Sequence, residues 1–170
     1  MATYALTGTP ATGKTSISIK LKKKIIHLSD FYSESSEGKN QTGEWKIDVD
    51  KINALTQKKL NDGIIVEGHL SHFIDNIDRI IVLRCDPRVL RKRMEKRKYS
   101  EKKIVENLEA EAMGLIYSQA LEIKNETDVF QLDTTNLTID ESTKIIGNFF
   151  KGNVKLEETI DYSERIMEWY

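Results

Sequence analysis

Residues 8–15 read Gly-Thr-Pro-Ala-Thr-Gly-Lys-Thr, and this G-x-x-x-x-G-K-[ST] run restricts the possible folds more than any other part of the chain. The pattern requires a strand that stops near Gly8, a helix that starts near Gly13, and a loop whose successive N–H groups turn inward as an anion cradle. Tyr4-Ala5-Leu6-Thr7 supplies the apolar strand, and residues 16–21 supply the helix, with Ile17 and Leu21 four apart on one face. A cradle of this form holds phosphates. Lys14 reaches the outer ones, and the Thr15 hydroxyl is a ligand for the Mg²⁺ that bridges them.

The remaining chain continues the alternation that this start predicts. Short, unbroken apolar runs at residues 25–28, 64–66, 80–83 and 129–132 read as buried parallel strands, because a parallel sheet is covered on both faces. Helical patterns lie between them at residues 50–60, 87–98, 101 to about 124, and 140–150. The expected architecture is an α/β phosphate-loop fold, a three-layer α/β/α sandwich around a parallel sheet of about five strands, with sites at the carboxyl ends of the strands. Asp86-Pro87 marks a helix start and Asn61-Asp62-Gly63 a stop before the third strand. Residues 33–44 are polar, carry Gly38 and Gly43, and read as a loop, where a phosphate-loop kinase inserts its acceptor-binding segment.

At 170 residues the chain suits one domain. Its net charge of −1 offers no overall basic bias for sequence-specific DNA binding, so any nucleic-acid contact is local. Cys85 is the only cysteine, which excludes an internal disulfide and a Cys-based zinc site and points to a reducing cytoplasmic compartment. With the first strand starting at Tyr4, no leader is expected, and no apolar run reaches membrane-spanning length, so no membrane partner is expected.

Several other residues suit phosphate chemistry. Glu67 ends an apolar strand beside the loop, where a carboxylate holds a metal-bound water or polarises an attacking group. His69 follows it and is read either as a phosphate or water contact or as a satisfied structural histidine; His72 reads as a surface residue. Asp30, just after the second strand, either helps hold the metal or caps the turn behind it. The basic run 88–103 offers Arg93 and Arg97 to a transferring phosphoryl group, with an RNA-facing patch and a solvated face as competing uses. After the last strand, Thr134 or Asn136 either reads a purine edge or serves ordinary loop capping.

The loop at residues 8–15, together with Val66-Glu67-Gly68-His69, Val82-Leu83-Arg84-Cys85-Asp86-Pro87 and residues 93–103, resembles the atypical adenylate kinases. In eukaryotes these are the coilin-interacting nuclear adenylate kinase/ATPase type, and this chain is similar to an archaeal member. The resemblance spans about residues 3–150 and includes the stretch from Glu109 to Ala120. It implies ATP held by Ala11, Gly13, Lys14, Thr15 and Ser16, an acceptor segment near residues 27–50, and a short lid at about 96–105 opened by Arg97. Glu67 and His69 match the family's acid-x-His pair. The resemblance also implies ATP hydrolysis beside nucleoside monophosphate kinase activity, and binding of the ribosomal protein uS11 on pre-small-subunit particles.

One position departs from that pattern. Ser33 stands where eukaryotic members carry an acceptor-phosphate arginine, so the phosphate would be gripped by Lys39, Lys46 or a distant arginine such as Arg84. Three readings follow: an adenylate kinase using ATP, AMP and Mg²⁺, a ribosome-assembly ATPase with incidental kinase activity, and a small-metabolite kinase. The tail at 152–170 either packs on the core or binds a partner.

Overall fold

The apolar runs do pair as one parallel sheet in the computed structural model, which describes residues 1–156 and 159–169. The strand order is β2 (Ile25–His27), β5 (Ile65–Glu67), β1 (Tyr4–Gly8), β6 (Arg79–Arg84), β7 (Val129–Asp133). Alternate residues feed two cores. Ala5, Val66, Ile80 and Val82 pack with Ile52 of α3 (Val49–Gln57) and Ala120 of α6 (Leu115–Ile123). Tyr4, Leu6, Ile81 and Leu83 pack with Ile17 of α1 (Lys14–Lys20) and with Ile146 and Phe149 of α7 (Ile139–Phe150). Because both faces are dry, neither set can be polar, which is why these strands read as continuous apolar runs.

The sheet order also locates the site. β1 lies between β5 and β6, while the chain leaving β1 passes to the β2 edge, so the crevice at the switch point opens at the end of β1. The phosphate loop is built there. A third cluster, Cys85, Leu90, Met94, Ile104 and Leu108, joins α4 (Pro87–Lys96) to α5 (Glu101–Ala112) behind that loop through Ala11. Asp86 caps α4, its carboxylate accepting from Arg88 N, with Pro87 in the first turn.

Two elements differ from the sequence reading. The helix expected from 101 to about 124 is two, α5 and α6, parted at Gly114 with φ +62°. At this turn the Glu111 carbonyl accepts from Gly114 N and from Arg84 Nη2, both at 3.0 Å. The nearest atoms to an alanine Cβ at Gly114 would be those of the Arg84 guanidinium, at an ordinary contact distance of 3.7 Å, so the cost of Gly114→Ala is that of its backbone conformation. The expected loss is about 1–2 kcal/mol, read as a shifted urea midpoint at unchanged slope.

Residues 33–44, read as a loop, hold α2 (Tyr32–Ser35) and an antiparallel hairpin, β3 (Ser36–Lys39) with β4 (Trp45–Ile47). Asn40 Oδ1 shapes the hairpin turn by accepting from the N–H groups of Thr42 and Glu44. The hairpin is largely exposed and polar, which leaves no apolar alternation to recognise. Residues 96–105, where a lid is expected, comprise the end of α4, a turn in which Lys98 adopts φ +58°, and the start of α5, capped by Ser100.

The tail packs on the core. Leu156 enters the second cluster and Trp169 the third, while Tyr162 bonds Asp133 and Arg165 pairs with Asp86 at 3.3 Å. Among the described residues, no helix is long and apolar enough to cross a membrane.

Candidate active site

Gly8 has φ +144°, and a Cβ there would stand 2.6 Å from the Leu83 carbonyl, so the close turn from β1 into the loop admits only glycine. Ala11 (φ 70°) and Gly13 (φ +103°) continue the curl that turns the chain into α1. Inside it, Lys14 Nζ donates to Gly8 O at 2.7 Å and Thr9 O at 3.0 Å. Burial pushes the Lys14 ammonium down to about 8, against the pull of Glu67 and Glu111, with Arg97 pushing the same way as burial. A cavity of about 510 Å³ opens over this loop, lined by Gly13, Lys14, Thr15, Ser16, Glu67 and Arg97 among others.

Glu67 is buried at the end of β5. Its Oε1 accepts from the Thr15 hydroxyl at 3.2 Å, and its Oε2 lies 2.8 Å from His27 Nδ1. His27 escapes a reading of single motifs, yet it is the last residue of β2 and the register partner of Glu67. Strand-end position is the signal that could have found it. Thr15 and Glu67 together offer two hard oxygen donors at the mouth of the loop.

A second cavity, about 540 Å³, adjoins the first and shares Pro10, Tyr32, His69 and Lys103 with it. Its far walls are Trp45 and Ile47 of the hairpin, Leu70 and Phe73, and Leu115, Ile116 and Gln119 from α6. Tyr32 Oη stands 3.2 Å from His69 Nδ1 in the shared wall. Burial and the Glu67 charge raise the Tyr32 phenol to about 12.

His69 is pushed down to about 4, first by burial and then by the charges of Lys14, His72 and Lys103. The unfolded chain therefore takes up a proton near 6.5 that the folded one refuses until about 4. Stability from this group is complete above pH 6.5 and falls as pH drops toward 4. The His69 imidazole resonances should stay at their neutral positions on titration from pH 8 to pH 5; a midpoint near 6.5 would contradict the burial argument.

The loop is braced from behind by a buried network. Glu111 Oε2 accepts from the Thr9 hydroxyl at 2.5 Å, and Oε1 accepts from Arg84 Nε and Cys85 N, both at 2.9 Å. Arg84 is fully buried and also donates to Gln131 Oε1. It is therefore not free to grip an acceptor phosphate. The Cys85 thiol is buried as expected, and burial raises it to about 12.

Four placements depart from expectation. The Thr134 hydroxyl is buried and donates to Thr12 O and Arg84 O, which fastens the loop rather than offering a purine contact. Arg93 donates to Thr134 O and Oγ1, so it braces the segment after β7, whereas Arg97 alone of the two lines the loop cavity. Asp30 is exposed and Ser29 lines the cavity in its place. His72, read as a surface residue, is buried between Thr7 Oγ1 and Gln119 Oε1, each 3.0 Å from a ring nitrogen. Lys39 and Lys46 sit on the hairpin, over Trp45 and paired with Glu37 respectively.

Comparison with known proteins gives one consistent grouping. The family model described as "AAA domain" matches residues 5–114. A Pyrococcus abyssi protein named "Putative adenylate kinase" is 37% identical over 166 residues, covering 94% of this chain and 91% of its own. A Methanosarcina acetivorans protein of the same name is 38% identical over 183 residues, covering 96% and 95%. Among solved structures, an uncharacterized protein from Eubacterium ventriosum superposes with a TM-score of 0.53 at 13% identity, over 89% of this chain and 98% of that one. That likeness concerns the fold alone.

Proposed function

The chain belongs to the adenylate kinase-like family of phosphate-loop proteins, and on that premise we propose that it is an Mg²⁺-dependent nucleoside monophosphate kinase, moving the γ-phosphoryl group of ATP onto AMP to give two ADP. The observation that carries this reading is the pair of adjoining cavities that share a wall of Pro10, Tyr32, His69 and Lys103. Hydrolysis needs one cavity and water; transfer needs a second compartment that brings an acceptor to the end of the donor phosphates.

The residues present fit a magnesium ion. The Thr15 hydroxyl and the Glu67 carboxylate are oxygen donors, and no group of three or more His, Cys, Asp or Glu able to hold a metal occurs among the described residues. That suits an ion taking most of its ligands from phosphate and water. When bound, Mg²⁺ supplies charge neutralisation across the phosphates.

The chain's own groups do the rest by position. Lys14 exchanges its bonds to Gly8 O and Thr9 O for phosphate oxygens, while the N–H groups of the loop, from Ala11 through Gly13 to Ser16, hold the donor. His27 holds one oxygen of Glu67, which keeps the other turned toward Thr15. Arg97, at the mouth of the loop cavity, offsets charge on the transferring group. His69, kept neutral by burial, offers a hydrogen bond in the shared wall without adding charge.

A screen of nucleoside monophosphates against small hydroxylated metabolites, each with an ATP-only control, tests the acceptor class. Phosphorylation of AMP above all others supports the reading; phosphorylation of a metabolite and no nucleotide overturns it. A second reading, an ATPase acting with uS11 on pre-small-subunit particles, draws on the exposed Lys92, Lys96 and Lys98 along α4 and its turn, a local basic surface in a chain of net charge −1. It requires that uS11 bind the protein and change ATP turnover without AMP. A cytoplasmic location accords with the lone buried thiol of Cys85.

A further inference from the structure

A monophosphate acceptor brings a dianion into the second cavity, and something cationic must receive it. Among the described residues lining that cavity, Lys103 is the only lysine or arginine. Arg84 is buried against Glu111, and the segment from Phe31 to Val49 contains no arginine. Lys103 also lines the loop cavity and the open cleft between the hairpin tip and the α4–α5 turn, so it stands where the three spaces meet.

Its ammonium is already engaged. Nζ lies 2.9 Å from Glu44 Oε1 at the hairpin tip and 4.6 Å from the centroid of the Tyr99 ring. The pair ties the hairpin to α5, yet both side chains are about a third exposed, at 34% and 39%, so the attachment is weak and cheap to exchange. A carboxylate and a phosphate monoester present the same kind of anionic oxygen. The phosphate carries about twice the charge at neutral pH.

We propose that Lys103 is the ligand of the acceptor phosphate in this protein, and that Glu44 is its placeholder, a carboxylate that the phosphate displaces. Filling the second cavity then releases the hairpin tip from α5. This rests on the kinase reading above and adds to it the group that replaces the arginine missing at Ser33. A lysine is a point charge on a flexible stem, with no planar fork to fix the phosphate's orientation. The acceptor is therefore held by charge, and its affinity should fall steeply with salt.

Titration calorimetry of AMP, with adenosine as the phosphate-free probe, tests this on the full chain and on Lys103→Met, Lys103→Arg and Glu44→Gln. Both positions are at the surface, and circular dichroism checks that each variant is folded. Lys103→Met should weaken AMP by roughly tenfold or more while adenosine binds as before, because only the charged contact is lost. Lys103→Arg should restore most of the affinity. Glu44→Gln should strengthen AMP a few-fold, because the competitor is gone. The proposal fails if Lys103→Met binds AMP as the unmodified chain does, or if Glu44→Gln weakens AMP, which would make Glu44 part of the site. If the unmodified chain binds no nucleoside monophosphate, the kinase reading fails and takes this one with it.

Discussion

Lys14→Ala should lower ADP formation from ATP and AMP by about 10³-fold, in line with removal of a buried charge from a transferring phosphoryl group. It should leave the melting temperature nearly unchanged. The ammonium is buried inside the loop with its value brought down to about 8 from an ordinary 10.5, so folding already works against its charge. Between those two values the unfolded chain holds a proton that the folded chain releases, so stability from this group rises with pH across that window and is at its lowest below pH 8. Alanine removes that burden and also removes two hydrogen bonds to loop carbonyls, each worth about 1 kcal/mol net. These offset one another. A coupled assay beside a thermal melt checks both halves: wild-type-like turnover removes Lys14 from the mechanism, and a collapsed melt makes it a structural residue first.

Glu111→Ala is expected to have the largest effect on stability. It leaves the Arg84 guanidinium buried with its carboxylate gone, and also strips an acceptor from the Thr9 hydroxyl and the Cys85 amide. Breaking a buried pair from one side costs about 3–5 kcal/mol. For a chain of this size that is a fall in melting temperature of roughly 6–20 °C. Removing both charges, as Glu111→Ala with Arg84→Met, should recover a large part of the loss, since the penalty lies in the orphaned charge. Equal stability of the single and double variants would show that the ion pair is not what braces the loop.

The frame of the molecule was legible because it depends on local chemistry. A phosphate loop after an apolar strand, further apolar runs at the right intervals, and Asp86-Pro87 as a helix start together determine the layered sheet and the end of it that carries a site. Lys14, Thr15, Glu67 and Arg97 could be picked out because each is tied to a motif or to a strand end, and the fold gathers them around one cavity.

What escaped depends on partners far apart in the chain. Whether Arg93 faces a phosphate or the Thr134 carbonyl is decided by how α4 meets the segment that follows β7, across 41 residues of sequence. Glu111 reads from spacing as an ordinary acidic residue of an amphipathic helix, because its partners Thr9, Arg84 and Cys85 lie 26 to 102 residues away in the chain. The hairpin at 36–47 left no apolar signature, since it is short, mostly polar and largely exposed, with only Ile47 packed on the core. His72 reads as surface because it is polar, and it is buried because Thr7 and Gln119 satisfy both ring nitrogens.

On the proposed reading, the phosphoryl group lost by ATP is received by a nucleoside monophosphate in the second cavity. Phosphorus NMR of the protein with Mg²⁺, ATP and AMP reads this directly, because ATP, ADP, AMP and inorganic phosphate resolve in one spectrum. AMP should disappear one for one with ATP, two ADP should appear for each pair consumed, and inorganic phosphate should stay near background. Inorganic phosphate rising with ADP while AMP remains untouched would contradict it.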